Sequence, residues 1–348
     1  IHWSFKLMGL PQDGRALILG ILYKKEYNLK EIFNGNLYSP QKITDLEWNV
    51  LLKMEENLIN APDHVKLDFP PFLETILKQS LQGDFELILK SLQQRADVFL
   101  RVNALKSNME IAKNKLLIEN IKVEQCDGSE LALRVVENAN LVSRSSAFKE
   151  GDIEIQDLAS QMAIDFAKPS SGSKVIDFCA GGGGKTLAVA SSMLGKGKFF
   201  LHDKDQKRMS MAKERMKRAG VNGKILSSER LRLRNIEADL VIVDVPCSGT
   251  GVWRRNPASK WWLNENRIND ILDIQRRILL EASNYVTDGG SLAYITCSLL
   301  NSENENQVGW FLESDNNFFL EKEKKFSPLK YSDGFYVAIL KKIKSVSS

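Results

Sequence analysis

The order of apolar runs predicts an α/β protein: a doubly wound, mostly parallel sheet with a small α+β subdomain and an N-terminal helical module. Three observations carry this expectation. Beyond Glu150, short β-like runs alternate with stretches of helical period, the pattern of strands joined by crossover helices. The first of those runs ends in four consecutive glycines, Gly181, Gly182, Gly183 and Gly184, which read as a tight strand-to-helix turn. By contrast, residues 11–92 carry helical signals only.

Taken in order, residues 14–23 are apolar at helix spacing, and residues 44–59 open with Thr44 and Asp45 as cap candidates. Pro70 and Pro71 then introduce a helix through Leu81. From Asp97 to about Arg144, β-like runs at 98–102 and 132–136 surround a helix near 109–119. The sheet proper follows as a run at 174–179 and a helix from Lys185, a run at 198–202 and a helix at 209–219, a run at 239–245 and a helix at 268–285, and a run at 291–297. Runs at 318–321 and 335–340 predict an antiparallel pair at one edge. The expected division is therefore 1–94 helical, 95–150 α+β, and 151–348 a Rossmann-like domain, with no internal repeat.

Composition narrows the function classes. At 43% hydrophobic and 26% charged residues, the chain can bury a sizeable core. No stretch approaches a membrane span or a secretory signal, so a cytoplasmic protein without membrane attachment is expected. The chain begins at Ile1 rather than Met and is read as lacking an N-terminal piece. Four scattered cysteines with no histidine at ligand spacing argue for free thiols and against a metal site. None of the three histidines stands beside a plausible nucleophile motif, which disfavours a hydrolytic triad. Residues 196–234 hold thirteen Lys/Arg against four Asp/Glu, a bias that suits nucleic acid only if other signals agree.

The glycine-rich turn lies at the carboxyl edge of the predicted sheet, where open α/β folds bind ligands. A phosphate-binding P-loop requires Gly five residues before the Gly184-Lys185 pair, and Cys179 stands there instead. A dinucleotide fingerprint is met only loosely. S-adenosylmethionine is the third candidate, with Asp203 at the end of the second strand to bind ribose hydroxyls.

Two further strand ends point to chemistry. One run enters Asp244-Val245-Pro246-Cys247-Ser248-Gly249, and another enters Thr296-Cys297-Ser298. Both ends belong on the same sheet edge as the glycines, so two thiols and a carboxylate are expected to converge there. Carbon 5 of cytosine is a poor nucleophile until a thiolate adds to carbon 6. One thiol to attack, a carboxyl group at N3 and a second polar group for release make up the minimum set. Cys126 and Cys179 read as small buried hydrophobes.

On these residues the chain resembles the Sun/Fmu family of RNA 5-methylcytosine methyltransferases, and within it the bacterial members that modify 16S ribosomal RNA. The match runs through Arg101-Val102-Asn103-Ala104-Leu105-Lys106, Gln156-Asp157-Leu158-Ala159-Ser160-Gln161, the glycine-rich turn, residues 244–251, Thr296-Cys297-Ser298 and Asp333-Gly334-Phe335. The resemblance implies that Cys297 attacks the base, that Cys247 assists release, and that Asp244 hydrogen-bonds the cytosine beside the cofactor, with Lys185 as the family lysine. It also implies a cofactor set of Ala180, Gly181, Gly183, Gly184, Lys185, Asp203, Arg208 and Asp244 for S-adenosylmethionine. Pro-Cys alone would suggest a DNA enzyme; the second cysteine points to RNA. Two departures are visible: Gly181 and Gly182 replace the second Ala and the Pro of the family's Ala-Ala-Pro-Gly-Gly-Lys-Thr, and Ser227-Ser228-Glu229 stands where the family often has an adenine-binding Asp.

RNA contact is expected from the loop Trp253-Arg254-Arg255-Asn256-Pro257 with Lys260-Trp261-Trp262, which interleaves cations with aromatic faces, and from Arg101. The helical module resembles the end of a NusB-like RNA-binding domain, and residues 95–150 are expected to bind RNA as well. A monomer acting on an unpaired ribosomal RNA base is the resulting expectation. A nicotinamide dehydrogenase and a noncatalytic RNA-binding ribosome assembly factor on a methyltransferase fold remain as alternatives.

Overall fold

The computed structural model describes residues 14–233, 236–329 and 332–344. Residues 1–13, on which the reading of a missing N-terminal piece rests, lie outside them, as does Arg234 of the basic stretch. The chain divides into two compact units, Ile1–Ile76 and Leu77–Ser348. Among the described residues, no helix is long and apolar enough to cross a membrane.

In the first unit, α1 (Gly14–Lys24), α2 (Leu29–Ile32), α3 (Asp45–Ile59) and α4 (Asp63–Lys66) enclose Leu19, Leu29, Phe33, Leu51 and Val65. The cap expected at Thr44 is a reciprocal one. Thr44 N donates to Glu47 Oε2 at 2.8 Å while Glu47 N donates to Thr44 Oγ1 at 3.3 Å, which satisfies donors that the helix itself cannot.

The second unit begins within the expected helical module. Residues 77–92 pack against the strands and loops of this unit: Asn301 N donates to Ser80 Oγ at 3.0 Å and Arg254 to Ser91 Oγ at 3.3 Å. Next comes a four-stranded antiparallel sheet of β1 (Phe99–Val102), β2 (Lys122–Gln125), β3 (Ala132–Glu137) and β4 (Ile153–Ile155), in the order β2-β3-β1-β4. Leu100, Val102, Leu133 and Ile153 form its core with Ala112 and Leu116 of the helix Met109–Ile118. The α+β subdomain thus extends past the expected boundary at 150, because β4 pairs with β1. Three residues are too few for alternation to register, and β2 is almost wholly exposed, so neither strand shows in the hydrophobic pattern.

The seven-stranded sheet is doubly wound, as expected. Its strands are β5 (Lys174–Asp177), β6 (Lys198–Leu201), β7 (Gly223–Ile225), β8 (Ala238–Asp244), β9 (Val286–Thr296), β10 (Phe318–Phe326) and β11 (Phe335–Lys342), in the order β10-β11-β9-β8-β5-β6-β7. The first five are parallel and the last two form the predicted antiparallel edge pair. Strand order reverses at β5, whose neighbours are β6 and β8, so a crevice opens at its carboxyl end. Apolar clusters cover both faces, one around Val175, Leu187 and Ile242 and the other around Ile176, Val243 and Leu279. β9 starts five residues before the predicted run and passes through Gly289 and Gly290, a residue type depleted in strands.

Candidate active site

At the end of β5 the buried Asp177 accepts from Thr186 N at 3.1 Å and Thr186 Oγ1 at 2.7 Å, which fixes the following helix Gly184–Ser192 against the strand. Burial pushes the Asp177 carboxyl up to about 6. Between strand and helix, Gly181 (φ 51°) and Gly183 (φ 77°) adopt the left-handed region that glycine reaches without strain. The turn is also covered closely. A Cβ on Gly181 would stand 3.4 Å from the Arg208 guanidinium carbon, and one on Gly182 would stand 3.0 Å from Arg215 Nη1. Arg215 donates to Gly182 O at 2.8 Å and pairs with the buried Glu154 of β4. At the end of β6, Asp203 accepts from Gly181 N at 2.8 Å and from Asp205 N at 2.8 Å.

Asp244 ends β8 and accepts from Lys185 Nζ at 2.8 Å. The pair is asymmetric, with side chains 8% exposed for Lys185 and 33% for Asp244. Lys185 also lies over the Phe335 ring at 5.3 Å. Just beyond the ends of β8 and β9 the two thiols meet: Cys247 Sγ and Cys297 Sγ are 3.3 Å apart. The hydrogen bond with Cys297, followed by burial, pushes the Cys247 thiol well above its ordinary range. Gly251 N donates to Cys297 O at 3.0 Å and Gly334 N to Gly251 O at 2.9 Å, a backbone stack too close to admit a Cβ on Gly251.

These groups border one cavity of about 530 Å³, lined by Ala180, Gly181, Gly182, Gly184, Lys185, Asp203, Arg208, Asp244, Cys247 and Cys297. Gly183 shapes the turn from behind and is not part of the lining. One end of the cavity is apolar, formed by Phe178, Val245, Ile274 and Ile278. His202 is held there, with Nδ1 2.9 Å from Phe178 O and Nε2 2.8 Å from Ser228 Oγ, so Ser228 supports the wall without lining the cavity. Cys179 does line it, but burial raises its thiol far above the ordinary range. Cys126 lies elsewhere, in a small cluster with Phe99 and Leu158, its thiol pushed up to about 11 by burial.

Sequence reasoning missed several residues here. Gln156, which accepts from Arg101 Nε at 2.7 Å and donates to Gly184 O at 3.3 Å, stood inside a recognised block without a role. Arg215 was hidden in a basic stretch, and Ile274 and Ile278 have the spacing of an ordinary core face on the helix Glu265–Ser283. Glu303, fully buried behind the cysteines, gave no signal.

Two of the four expected RNA contacts, Arg101 and Lys260, require correction. Arg101 and Lys260 are each only 3% exposed. Arg101 is committed to Gln156, and Lys260 lies over the rings of Trp253 at 5.5 Å and Trp261 at 6.0 Å, so both serve the interior. Arg254 donates to Pro328 O at 2.6 Å. Arg255 bridges Asp157 at 2.7 Å and Asp333 at 2.5 Å, and burial pushes the Asp333 carboxyl up to about 6. The loop's cations hold the loop in place, and Trp253 is buried while Trp262 is 70% exposed.

A profile of the 16S rRNA methyltransferase RsmB/F family matches residues 165–342, about half of the chain and all of the seven-stranded sheet. The chain belongs to this family. Ribosomal RNA small subunit methyltransferase B of Proteus mirabilis (strain HI4320) is 30% identical over 328 residues, 93% of this chain and 75% of the relative. Among solved structures, PH0851 is 25% identical with a TM-score of 0.76, covering 95% of this chain and 91% of its own. NSun6 from Pyrococcus horikoshii has a TM-score of 0.70 at 22% identity, covering 80% of this chain and 99% of its own, and shows a shared fold. The protein is an S-adenosylmethionine-dependent methyltransferase. Its cavity suits that cofactor: the Asp203 carboxylate and the open backbone of the glycine turn match ribose hydroxyls and a charged methionine end, and the apolar end matches a flat base.

Proposed function

We propose that the protein methylates carbon 5 of a cytosine in ribosomal RNA through a transient bond between Cys297 and carbon 6 of the base. The observation that carries this reading is the pair of thiols 3.3 Å apart on the wall of the cofactor cavity, beside Asp244. Lone cysteines in an α/β core have no reason to meet at a sheet edge.

The thiolate of Cys297 adds to carbon 6, and the ring electrons displaced toward carbon 5 make that atom a nucleophile. Asp244, held by Lys185, accepts from the 4-amino group of cytosine and, when it carries a proton, donates to N3, which favours the addition. S-adenosylmethionine supplies the methyl group as an electrophile on sulfur. Solvent water then takes the carbon 5 proton, the electrons of that C–H bond restore the ring double bond and expel the sulfur of Cys297 as a thiolate, and the Cys247 thiol, 3.3 Å away, assists release by hydrogen-bonding the departing sulfur.

The base must leave its stack to reach Cys297, so an unpaired cytosine is the substrate, with the exposed Trp262 as a stacking platform near the catalytic loop. RNA engagement by residues 1–94 and by 95–150 belongs to this reading.

Bisulfite sequencing of ribosomal RNA after incubation with the protein and cofactor tests the product. Variants test the route. Cys297→Ala is expected to form no adduct and transfer no methyl, whereas Cys247→Ala is expected to accumulate a protein–RNA adduct that survives denaturing electrophoresis. The reverse pattern would exchange the two roles. Methylation intact in both variants, with no adduct in either, would refute the covalent route, and absence of any methylation by the wild-type protein would favour a noncatalytic assembly factor.

A further inference from the structure

β8 and β9 are adjacent parallel strands, which run about 4.8 Å apart. Their last shared ladder bond, Val245 N to Ile295 O at 3.1 Å, falls two residues short of each cysteine. The sulfur atoms approach to 3.3 Å, and beyond the ladder the two segments are held by Gly251 N donating to Cys297 O at 3.0 Å, by Ser248 Oγ against Ser298 Oγ at 3.2 Å, and by a buried carboxylate.

Glu303 lies on the turn Asn301–Glu303 that follows β9 and is 0% exposed. An ionised carboxylate at such a place is costly unless its lone pairs are filled, and here both oxygens are used. Oε2 accepts from Ser248 N at 2.8 Å and from Gln275 Nε2 at 3.0 Å. Oε1 accepts from Ser298 Oγ at 2.6 Å and from Ser248 Oγ. Ser248 directly follows Cys247, and Ser298 directly follows Cys297. Gln275 extends the hold by donating to Pro246 O at 3.1 Å, on the other side of Cys247. One carboxylate thus ties down both cysteine segments, while its own backbone is anchored by Tyr294 OH donating to Glu303 O at 2.6 Å. Glu303 is absent from the cavity lining and its side-chain hydrogen bonds go to Gln275 and to the residues that follow the cysteines, while, after the bond with Cys297 and burial, its charge also pushes the Cys247 thiol up.

We propose that Glu303 is a positioning residue that sets the spacing of the Cys247 and Cys297 thiols. Its relevance to catalysis rests on the two-thiol reading of the reaction, but the spacing itself can be measured without that reading. Phenylarsine oxide condenses with two neighbouring thiols to give one cyclic dithioarsinite and one water, and binds a single thiol weakly. The wild-type protein is expected to take up one equivalent with loss of two titratable thiols, and Cys247→Ala, as the one-thiol control, is expected to lose this capture.

Glu303→Ala is expected to slow capture at least tenfold. Methyl transfer is expected to fall on the order of a hundredfold, the cost of about 1 Å of misplacement at a reacting centre. That loss is expected in kcat, with KM for S-adenosylmethionine and for RNA unchanged within about twofold, because Glu303 lines no part of the cavity. Should Glu303→Ala prove unfolded, Glu303→Gln keeps the volume and the direct Ser248–Ser298 bond but replaces one acceptor oxygen by an NH2 group, which removes acceptance on that side. This variant is expected to slow capture by several-fold. Capture at the wild-type rate in a folded variant overturns the proposal. Slowed capture with methyl transfer at the wild-type rate upholds Glu303 as the determinant of spacing and instead refutes the two-thiol reading.

Discussion

The Lys185–Asp244 pair should respond unequally to loss of its two members. Asp244→Ala strands an ammonium group that is only 8% exposed. Removing one partner of a fully buried pair costs about 3–5 kcal/mol, and since Asp244 itself is partly open and its loss admits water, about 2–3 kcal/mol is expected here. Lys185→Met leaves a carboxylate that is 33% exposed and can rehydrate, which limits the electrostatic loss to about 1 kcal/mol. The methionine stem keeps its packing beside the Phe335 ring, where Lys185 Nζ now lies at 5.3 Å. With both substitutions no charge is stranded, so the double variant is expected to be more stable than Asp244→Ala alone by about 1 kcal/mol, a departure from additivity of about 2 kcal/mol and within the range for residues in direct contact. Denaturant midpoints of the cofactor-free protein, wild type, two singles and double, give the full cycle at neutral pH. Equal destabilisation by the two single variants, or additivity within about 0.3 kcal/mol in the double, would refute the reasoning.

Asp203→Ala removes the acceptor of Gly181 N and the carboxylate assigned to the ribose, and is expected to weaken S-adenosylmethionine by about 1.5–3 kcal/mol in a calorimetric titration; unchanged affinity would take Asp203 out of the pocket. Asp177, with its carboxyl at about 6, is raised above the ordinary carboxylate value, so its contribution to stability is present in acid and is lost as pH rises from about 4 to about 6. Asp177→Asn is expected to remove up to about 1.4 kcal/mol per pH unit from the fall in stability across that window, and identical slopes in the two proteins would contradict the shift. Trp262→Ala is expected to cost about 1–3 kcal/mol of RNA affinity if its exposed ring stacks a base, measured at fixed salt, with cofactor affinity as the unaffected control. Arg255→Ala, by contrast, exposes Asp157 and Asp333 to each other and should lower thermal stability while leaving the salt dependence of RNA binding unchanged; a shallower salt slope would return Arg255 to the RNA interface.

The site was legible where one residue type at one strand end is enough to state the chemistry. Gly181, Asp203, Asp244, Cys247 and Cys297 each follow a run of β-like residues, and alternation of strand with helix places all such ends on one edge. Local pattern alone therefore determined the doubly wound sheet, its antiparallel edge pair, the ligand-binding edge and the set of groups that converge there. The burial of Arg101 and Lys260, and the pairing of Arg255, were decided by the tertiary structure. A charged side chain in sequence reads as exposed, yet Arg101 is enclosed with Gln156, 55 positions away, and Arg255 is held by Asp157 and Asp333, 98 and 78 positions away. The same holds for Glu303, whose worth depends on hydroxyl and amide donors contributed by three separate segments. Periodicity reports which face of an element is apolar, because that preference is local. Whether a polar group can be buried depends on partners that only the folded chain assembles, and so the spacing of the two thiols and the burial of Arg101 and Lys260 belong to the tertiary structure.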